Sequence, residues 1–331
     1  MKKTTKNLLL NGALIVLMAL LPLLSKDEYY RHILVMTYYS ACLASSWNLV
    51  GGFMGQITFA HMAYFGIGAY SVTILSVTHG VSPWIGAVVG MLLSAAACFL
   101  ISYPTLKIRG PFFVLITIAF LNICRILAVY FRGLTKGSMG ISTPFKPSFA
   151  NFVFRSKLAY VYISLILLVI VLAINYYLLN SKLGYRIVAL RENRDAAQAI
   201  GVNPTWPRII VACISAALAG LTGVVYARYS LFLDPDIAFS MDTNTRIILM
   251  AIIGGTGSLW GPVLGAALLV PSAEILRAAL SKRAGLDQLI YGIILIVLIL
   301  LQPEGLLGGL QKIRDRVHVW SMSKNASKQG K

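Results

Sequence analysis

Stretches of about 20 apolar residues recur along this chain, separated by short polar links. A helix of that length crosses the roughly 30 Å hydrocarbon core of a bilayer. Of the 331 residues, 58% are hydrophobic and only 12% are charged, and the mean hydropathy is +0.77. A soluble domain carries about 25% charged residues. The pattern therefore predicts an all-α, polytopic transmembrane helical bundle.

The apolar stretches predict about ten spans. The strands of a transmembrane β-barrel would instead alternate apolar and polar residues, and this sequence shows no such alternation. The eighth span is short and runs into a glycine cluster, and a second cluster lies at residues 51–55. We expect broken or re-entrant helices there, since such backbone is tolerated only where protein or a water-filled cavity satisfies it. The predicted spans are 8–24, 33–52, 60–79, 83–105, 111–131, 158–180, 208–229, 243–256, 259–279 and 287–302.

The first apolar run has a second interpretation as a cleaved secretory signal. Lys2, Lys3 and Lys6 precede it, as in a basic n-region. A signal also needs a small-residue cleavage site, and the run is followed instead by Ser25-Lys26-Asp27-Glu28. We expect a retained first span, with cleavage as the alternative.

The net charge of +18 admits two interpretations, nucleic-acid binding and membrane orientation. No basic stripe with interleaved aromatic residues marks a nucleic-acid groove. The basic residues concentrate in links and tails, mostly on the side that carries both termini, although the basic loop 132–157 lies on the opposite side. We therefore predict cytoplasmic termini, a transmembrane domain at 1–310 and a basic cytoplasmic tail at 311–331. Lys107 and Arg109 count toward the cytoplasmic side, and Lys282 and Arg283 toward the other.

The residue types that build enzyme or metal sites are scattered. Each of the four cysteines, Cys42, Cys98, Cys124 and Cys213, lies in an apolar stretch without metal-ligand spacing. The four histidines are not grouped with carboxylates. We therefore predict no metal site and no enzyme active site. The sequence also lacks the Gly-x-x-x-x-Gly-Lys-Ser/Thr pattern of a P-loop, so this chain is not itself an ATPase.

The link 181–207 is the most polar segment inside the chain. From 184 to 201 it is rich in helix formers and ends in glycine, which predicts one short surface helix. Alanines keep part of its surface thin, so another protein can approach its backbone closely. The alternative is an amphipathic helix that rests on lipid headgroups.

Within this link, the segment 195–201 resembles the Glu-Ala-Ala-x-x-x-Gly signature of permease subunits in bacterial ATP-binding-cassette importers. Asp195 replaces the usual Glu, and the usual downstream Leu-Pro is absent. In that family the motif forms a coupling helix that sits in a cleft of the ATPase subunit. The resemblance implies a cytoplasmic coupling loop whose coupling residues are Arg191, Glu192, Arg194, Asp195, Ala196, Ala197 and Gly201.

Further motifs resemble the LivM-type permeases of branched-chain amino acid importers. They lie at 47–61, 65–70, 178–201, 214–227, 254–262 and 303–308, so the resemblance covers about residues 40 to 310. It implies a multi-pass subunit of the bacterial inner membrane that imports branched-chain amino acids. The implied partners are a homologous permease, two ATPase subunits that carry ATP-Mg, an extracytoplasmic substrate-binding protein and membrane lipid; the chain itself binds no cofactor. A urea or amide permease is closely similar and remains an alternative.

Two sets of residues are candidates for the translocation pathway. The glycine clusters are also typical of close helix packing, and both interpretations stay open. The predicted pathway residues are the polar side chains Asn48, Gln56, Thr58 and His61 and the glycines Gly254, Gly255 and Gly257. Charged residues inside spans are functional candidates because membrane burial of charge is costly. Arg125 and Arg246 either snorkel, pair with another span or line the pathway, whereas Glu274 and Arg277 are spaced to pair on one helix face.

An ion-coupled secondary transporter is the alternative function, since such proteins also have many spans and broken helices. Coupling to protons or sodium usually needs carboxylates within the membrane. Glu274 is the one acidic residue well inside a predicted span. The composition therefore favours the importer.

Overall fold

The computed structural model describes residues 2–105, 108, 110–280, 285–301, 305–306 and 308, with side chains from residue 11 onward except 287–288, 298–299 and 301. The predicted tail 311–331 and the residues Lys107, Arg109, Lys282 and Arg283 lie outside this part of the chain. Within it, two two-residue strands accompany a series of helices, which confirms the all-α prediction.

The N-terminal half contains seven helices. A 3₁₀ turn at Leu21–Leu23 follows the first, a π-helical turn at Leu49–Phe53 follows the second, and a 3₁₀ turn at Gly137–Met139 follows the sixth. The helices are α1 (Lys2–Leu20), α2 (Glu28–Asn48), α3 (His61–Thr78), α4 (Pro83–Thr105), α5 (Pro111–Tyr130), α6 (Arg132–Thr135) and, after strand β1 (Ile141–Ser142), α7 (Lys157–Leu179).

The C-terminal half begins with two short helices outside the predicted spans. The remaining elements are α8 (Lys182–Glu192), α9 (Arg194–Ala199), α10 (Trp206–Ser230), strand β2 (Phe232–Leu233), α11 (Pro235–Ala238), α12 (Met241–Gly255), α13 (Gly261–Ala279) and α14 (Leu286–Leu301). β1 and β2 pair antiparallel, with Ile141 opposite Leu233. This pairing joins the loop 131–156 to the end of α10.

Each of the ten predicted spans corresponds to a helix in the described residues. Seven helical segments there are long and apolar enough to cross a membrane: Glu28–Phe53, Pro83–Thr105, Pro111–Tyr130, Lys157–Leu179, Trp206–Ser230, Pro235–Gly255 and Gly261–Ala279. The described apolar part of the first helix is shorter, at Asn11–Leu23, and α14 has 16 residues.

The eighth span is short and the second is interrupted near its glycine cluster, as predicted, and an unpredicted break also precedes the eighth span. α12 has 15 residues, about 22 Å, which is shorter than the roughly 30 Å of a bilayer core. The four-residue α11 precedes it across a break at Phe239 and Ser240. The second interruption follows α2, where the π-helical turn leads into the non-helical residues 54–60. At both breaks, backbone N–H and C=O groups lie outside the regular hydrogen bonding of a helix.

The packed centre consists of α3, α4 and α10 beside α2, α7, α12 and α13. Glycines allow α3 and α10 to touch along their backbones. A Cβ on Gly68 would overlap the carbonyl of Gly220, and a Cβ on Gly223 would overlap the carbonyl of Phe65. α5, by contrast, is largely exposed and lies at the edge of the bundle. One face of α5 therefore makes no contact with the other described helices.

Candidate functional site

The predicted coupling segment folds as two helices rather than one. Asn193 adopts an extended conformation (φ −151°, ψ 107°) between α8 and α9, so the prediction of a single helix from 184 to 201 is wrong. The Asn193 side-chain oxygen accepts hydrogen bonds from the backbone N–H groups of Asp195 and Ala196, at 3.1 and 3.0 Å. This is an N-cap: Asn193 ends α8 and starts α9.

α9 ends where the glycine was predicted to end it. Gly201 has a φ of +86°, in the left-handed region, and the N–H of Val202 donates to the carbonyl of Ala197 at 3.0 Å. Asp195 and Ala196 are exposed, and Ile200 is 80% exposed, while Ala197 is buried. α9 therefore presents a small exposed surface that includes an apolar side chain.

Arg191 connects this surface to the interrupted second span. Its Nη1 donates to the carbonyl of Gly52 at 2.9 Å, and its Nη2 forms an ion pair with Glu192 at 2.6 Å. A Cβ on Gly55 would lie 2.6 Å from Arg191 Cγ, so the close contact requires the glycine. Arg194 lies one residue beyond the break and is half-buried.

Asn48 joins the same region to the glycine loop between α12 and α13. Its Oδ1 accepts from the N–H of Gly257 at 3.0 Å, and its Nδ2 donates to the carbonyl of Ser258 at 2.8 Å. A Cβ on Gly257 would lie 3.2 Å from Arg191 Nη1. Asn48, Gly52, Arg191, Gly257 and Ser258 therefore meet, and we call this set the junction.

The other predicted pathway residues lie in and around the helix packing. Gly254 and Gly255 are buried where α12 meets α13, and a Cβ on Gly254 would overlap the carbonyl of Gly261. Thr58 is buried, and its carbonyl accepts from the Trp47 indole N–H at 2.8 Å. Gln56 is half-buried. Their role in a pathway stays a prediction.

His61 is also buried and hydrogen-bonded. Its Nε2 lies 2.8 Å from the Ser215 hydroxyl, which itself donates to the carbonyl of Ser46 at 2.6 Å. Because that hydroxyl has one proton and donates it to Ser46, His61 Nε2 must be the donor to Ser215. His61 thus ties α3, α10 and α2 together.

Each intramembrane charge named from the sequence has a neighbour that suits it. Arg125 forms an ion pair with Asp236 of α11, with Nη2 and Oδ1 2.6 Å apart. The guanidinium of Arg246 lies over the Tyr291 ring, 5.4 Å from its centroid. Glu274 and Arg277 pair at 3.5 Å on one face of α13, which confirms that prediction.

Arg228 was not singled out from the sequence, although it is buried near the end of α10. Its Nη2 donates to the carbonyl of Val72 at 3.0 Å and to the Ser76 hydroxyl. The Tyr160 hydroxyl donates to the Arg228 carbonyl at 2.9 Å. An arginine near the end of a largely apolar span was the available signal. The described residues contain no cluster of three or more metal-ligating side chains.

Comparison with known proteins gives consistent matches over most of the chain. The family described as "Branched-chain amino acid transport system / permease component" matches residues 29–299. The LivM permease protein of the high-affinity branched-chain amino acid transport system of Salmonella typhimurium is 30% identical over 83% of this chain and 69% of its own length. The LivH permease protein of the same organism is 25% identical over 81% of this chain and 91% of its own.

One solved structure, PsaBC from Streptococcus pneumoniae in complex with Fab, also aligns with the chain. The identity is 15%, the TM-score is 0.44, and the alignment covers 83% of this chain and 92% of that one. This similarity is too distant to bear on the function.

Proposed function

Because this chain belongs to the family of permease components of branched-chain amino acid transport systems, we propose that it is a membrane subunit of an ATP-binding-cassette importer for branched-chain amino acids. The family match from 29 to 299 is the observation that carries the proposal, since it runs from α2 into α14 and includes both interrupted spans. The chain lacks a P-loop, so a separate subunit must hydrolyse ATP.

The proposed assembly contains a second, homologous permease, two ATPase subunits that bind ATP-Mg, and an extracytoplasmic substrate-binding protein. The similarity of this chain to both LivM and LivH supports the second permease, because each is a permease protein of a high-affinity branched-chain amino acid system. Orientation follows from charge. The chain lies in the bacterial inner membrane. The α8–α9 end of the bundle and both termini face the cytoplasm.

The exposed surface of α9 is the proposed docking site for an ATPase subunit. Ile200 and the neighbouring Ala196 offer an apolar, close-approach surface, and Asp195 adds charge. Movement of α9 reaches the spans through Arg191, whose guanidinium is bonded to Gly52 in the junction. An ATPase that binds one position of α9 more tightly than the other therefore shifts the transporter between two states.

A bulky residue on the exposed face of α9 tests this coupling. Ala196→Trp adds an indole to the proposed contact and should lower amino acid uptake by about tenfold or more, which corresponds to about 1.4 kcal/mol of docking energy. The matched control is Lys182→Trp, at an exposed position at the start of α8. Transport by reconstituted complexes is the measurement. Equal uptake by the two variants would exclude α9 as the docking surface.

Energy dependence of uptake tests the proposed function itself. Cells that express the full system should accumulate radiolabelled leucine, isoleucine or valine, and uptake should stop when ATP is depleted while an imposed membrane potential is held. Persistent uptake under that condition would indicate an ion-coupled transporter. Uptake of urea in preference to all three amino acids would instead assign the chain to the amide-transporting branch.

A further inference from the structure

The ion pair of Arg125 and Asp236 is incomplete within this chain. Arg125 uses Nε and Nη2, at 2.7 and 2.6 Å, and both contact the same oxygen, Oδ1 of Asp236. Within the described residues, Arg125 Nη1 and Asp236 Oδ2 have no hydrogen-bond partner. The side chains are 48% and 72% exposed. Each charged group therefore keeps a hydrogen-bonding position that no described residue occupies.

The position of this pair makes contact with lipid tails unfavourable. Arg125 lies in α5 five residues before Tyr130, or about 7.5 Å from the end of the helix. The arginine side chain is long enough to snorkel, but the short side chain of Asp236 is not. Charged residues at such depths face protein or a water-filled space. The face that carries Arg125 and Asp236 is therefore covered by water or by another subunit.

Other exposed polar side chains lie near this pair in the chain. Asn122 is exposed one turn before Arg125 in α5, and Asp242 and Thr245 are exposed at the start of α12, directly after α11. Asp242 and Thr245 are three residues apart and share a helix face. Polar side chains thus remain exposed on both span segments that border the break between α11 and α12, where a polar pathway is expected.

Pockets for small ligands typically measure about 300 to 1,000 Å³, and the cavity at this pair measures about 580 Å³. Its wall contains two guanidinium groups, from Arg125 and Arg132, and one carboxylate, from Asp236. The remaining wall consists of Ile126, Val129 and Tyr130, together with Ser138. The cavity therefore combines both signs of charge with an aliphatic and aromatic surface.

We propose that this cavity binds the head group of a zwitterionic, apolar α-amino acid at the extracytoplasmic part of the pathway. The substrate carboxylate pairs with Arg125 and Arg132, its ammonium pairs with Asp236, and its aliphatic side chain contacts Ile126 and Val129. The zwitterion leaves the net charge of the cavity unchanged, because its carboxylate lies between the two guanidinium groups and its ammonium faces the Asp236 carboxylate. This inference rests on the proposed function, since it names where an imported amino acid is bound.

The test uses the full reconstituted complex with saturating, leucine-loaded binding protein. The measured quantity is leucine transported per ATP hydrolysed. Arg125→Gln and Asp236→Asn should each lower this ratio by about tenfold or more, since each removes one of the three charged side chains that bind the zwitterion. The matched control is Glu274→Gln, which breaks the ion pair with Arg277 on α13 and should leave the ratio within about twofold.

Three results would overturn the inference. The first is an unchanged ratio in both variants while the wild type transports leucine. The second is failure of both variants to assemble with the second permease, together with restored assembly in the charge-reversed double variant Arg125→Asp/Asp236→Arg, which would make the pair a structural contact within this chain that assembly requires. The third is an equal fall of the ratio in the Glu274→Gln control. Absence of ATP-driven leucine transport by the wild type would contradict the proposed function instead.

Discussion

Asn48 shows what a single polar residue does in the packing of this bundle. Its amide bonds both Gly257 and Ser258, so it joins the end of α2 to the loop between α12 and α13. The sequence indicated that Asn48 is important, because a polar residue beside a glycine cluster in an apolar span is costly without a partner. It did not indicate the partner, which lies about 210 residues away in the chain.

Replacement of Asn48 should destabilise the protein. Asn48→Ala removes two hydrogen bonds and leaves two backbone groups at the junction without that partner, at a cost of about 1 to 2 kcal/mol. The control is Asn180→Ala, because Asn180 is exposed and its amide donates only within its own helix end, to Tyr176. Thermal unfolding in detergent measures the difference. Equal melting temperatures would show that the junction does not contribute to stability.

Arg125 and Arg228 show the limit of residue-level prediction. Both are arginines in apolar helices, and the cost of burying charge marks both as unusual. Arg125 forms an exposed ion pair with Asp236, whereas Arg228 is buried and donates a hydrogen bond to the Val72 carbonyl. Sequence alone cannot distinguish the two, because the partner groups come from other helices. The junction contact of Arg191 with Gly52 was unpredictable for the same reason.

At the scale of elements, the segment between α7 and α10 was correctly predicted to be helical, but it was predicted as one helix and folds as two. Gly201 ends the helix as expected, because a φ of +86° suits glycine. The break at Asn193 was missed, since asparagine has only a modestly poor helix propensity, and its capping role depends on the local backbone. The helices α4 and α5, by contrast, begin at Pro83 and Pro111, the first residues of the predicted spans 83–105 and 111–131.

Removal of the cap at Asn193 should loosen α9 selectively. Asn193→Ala deletes the side-chain oxygen that accepts from Asp195 and Ala196, at a cost of about 1 kcal/mol. Amide hydrogen exchange of residues 194–199 should become faster, and uptake should fall with it. Gln198→Ala, in the same helix but without a capping role, should leave the exchange rates unchanged. Unchanged exchange in the Asn193 variant would mean that other contacts hold α9 in place.

The contact between α3 and α10 depends on glycine at the point of closest approach. Gly223→Ala places a methyl group against the Phe65 carbonyl, so the helices must separate, at a cost of about 1 to 3 kcal/mol. Gly292→Ala is the control, because a Cβ there meets nothing within 4 Å and alanine favours the helix. The readout is the unfolding midpoint of each purified variant. A Gly223 variant as stable as the control would contradict the close packing.

At the scale of the whole molecule, the positions and order of the long helices followed from hydropathy, although seven of the described segments, against ten predicted spans, are long and apolar enough to cross a membrane. Hydropathy is effective because a helix in lipid must satisfy its own backbone and cover itself with apolar side chains. It could not locate the break between α11 and α12 at Phe239 and Ser240, because that break depends on contacts of α11 with α3 and α5. Nor does hydropathy determine which helices become neighbours, as α2 does with α7 and α13.

The proposed orientation predicts which ends of the bundle are accessible from outside the cell. In a variant without the four native cysteines, Met139→Cys should react with a membrane-impermeant maleimide in intact spheroplasts. Ile200→Cys should react only after permeabilisation. The two positions are comparably exposed, at 86% and 80%, so accessibility reports the side of the membrane. The reverse labelling pattern would invert the topology and place α9 away from any cytoplasmic ATPase.

The central proposal is that this chain is one subunit of an ATP-driven assembly. The most direct measurement is quantitative mass spectrometry of all proteins that co-purify with the tagged chain in mild detergent from its own host. We expect a homologous permease in equal amount and P-loop ATPases at two copies per pair of permeases. A chain that purifies without them and still transports amino acids after reconstitution alone would contradict the account and identify an ion-coupled transporter.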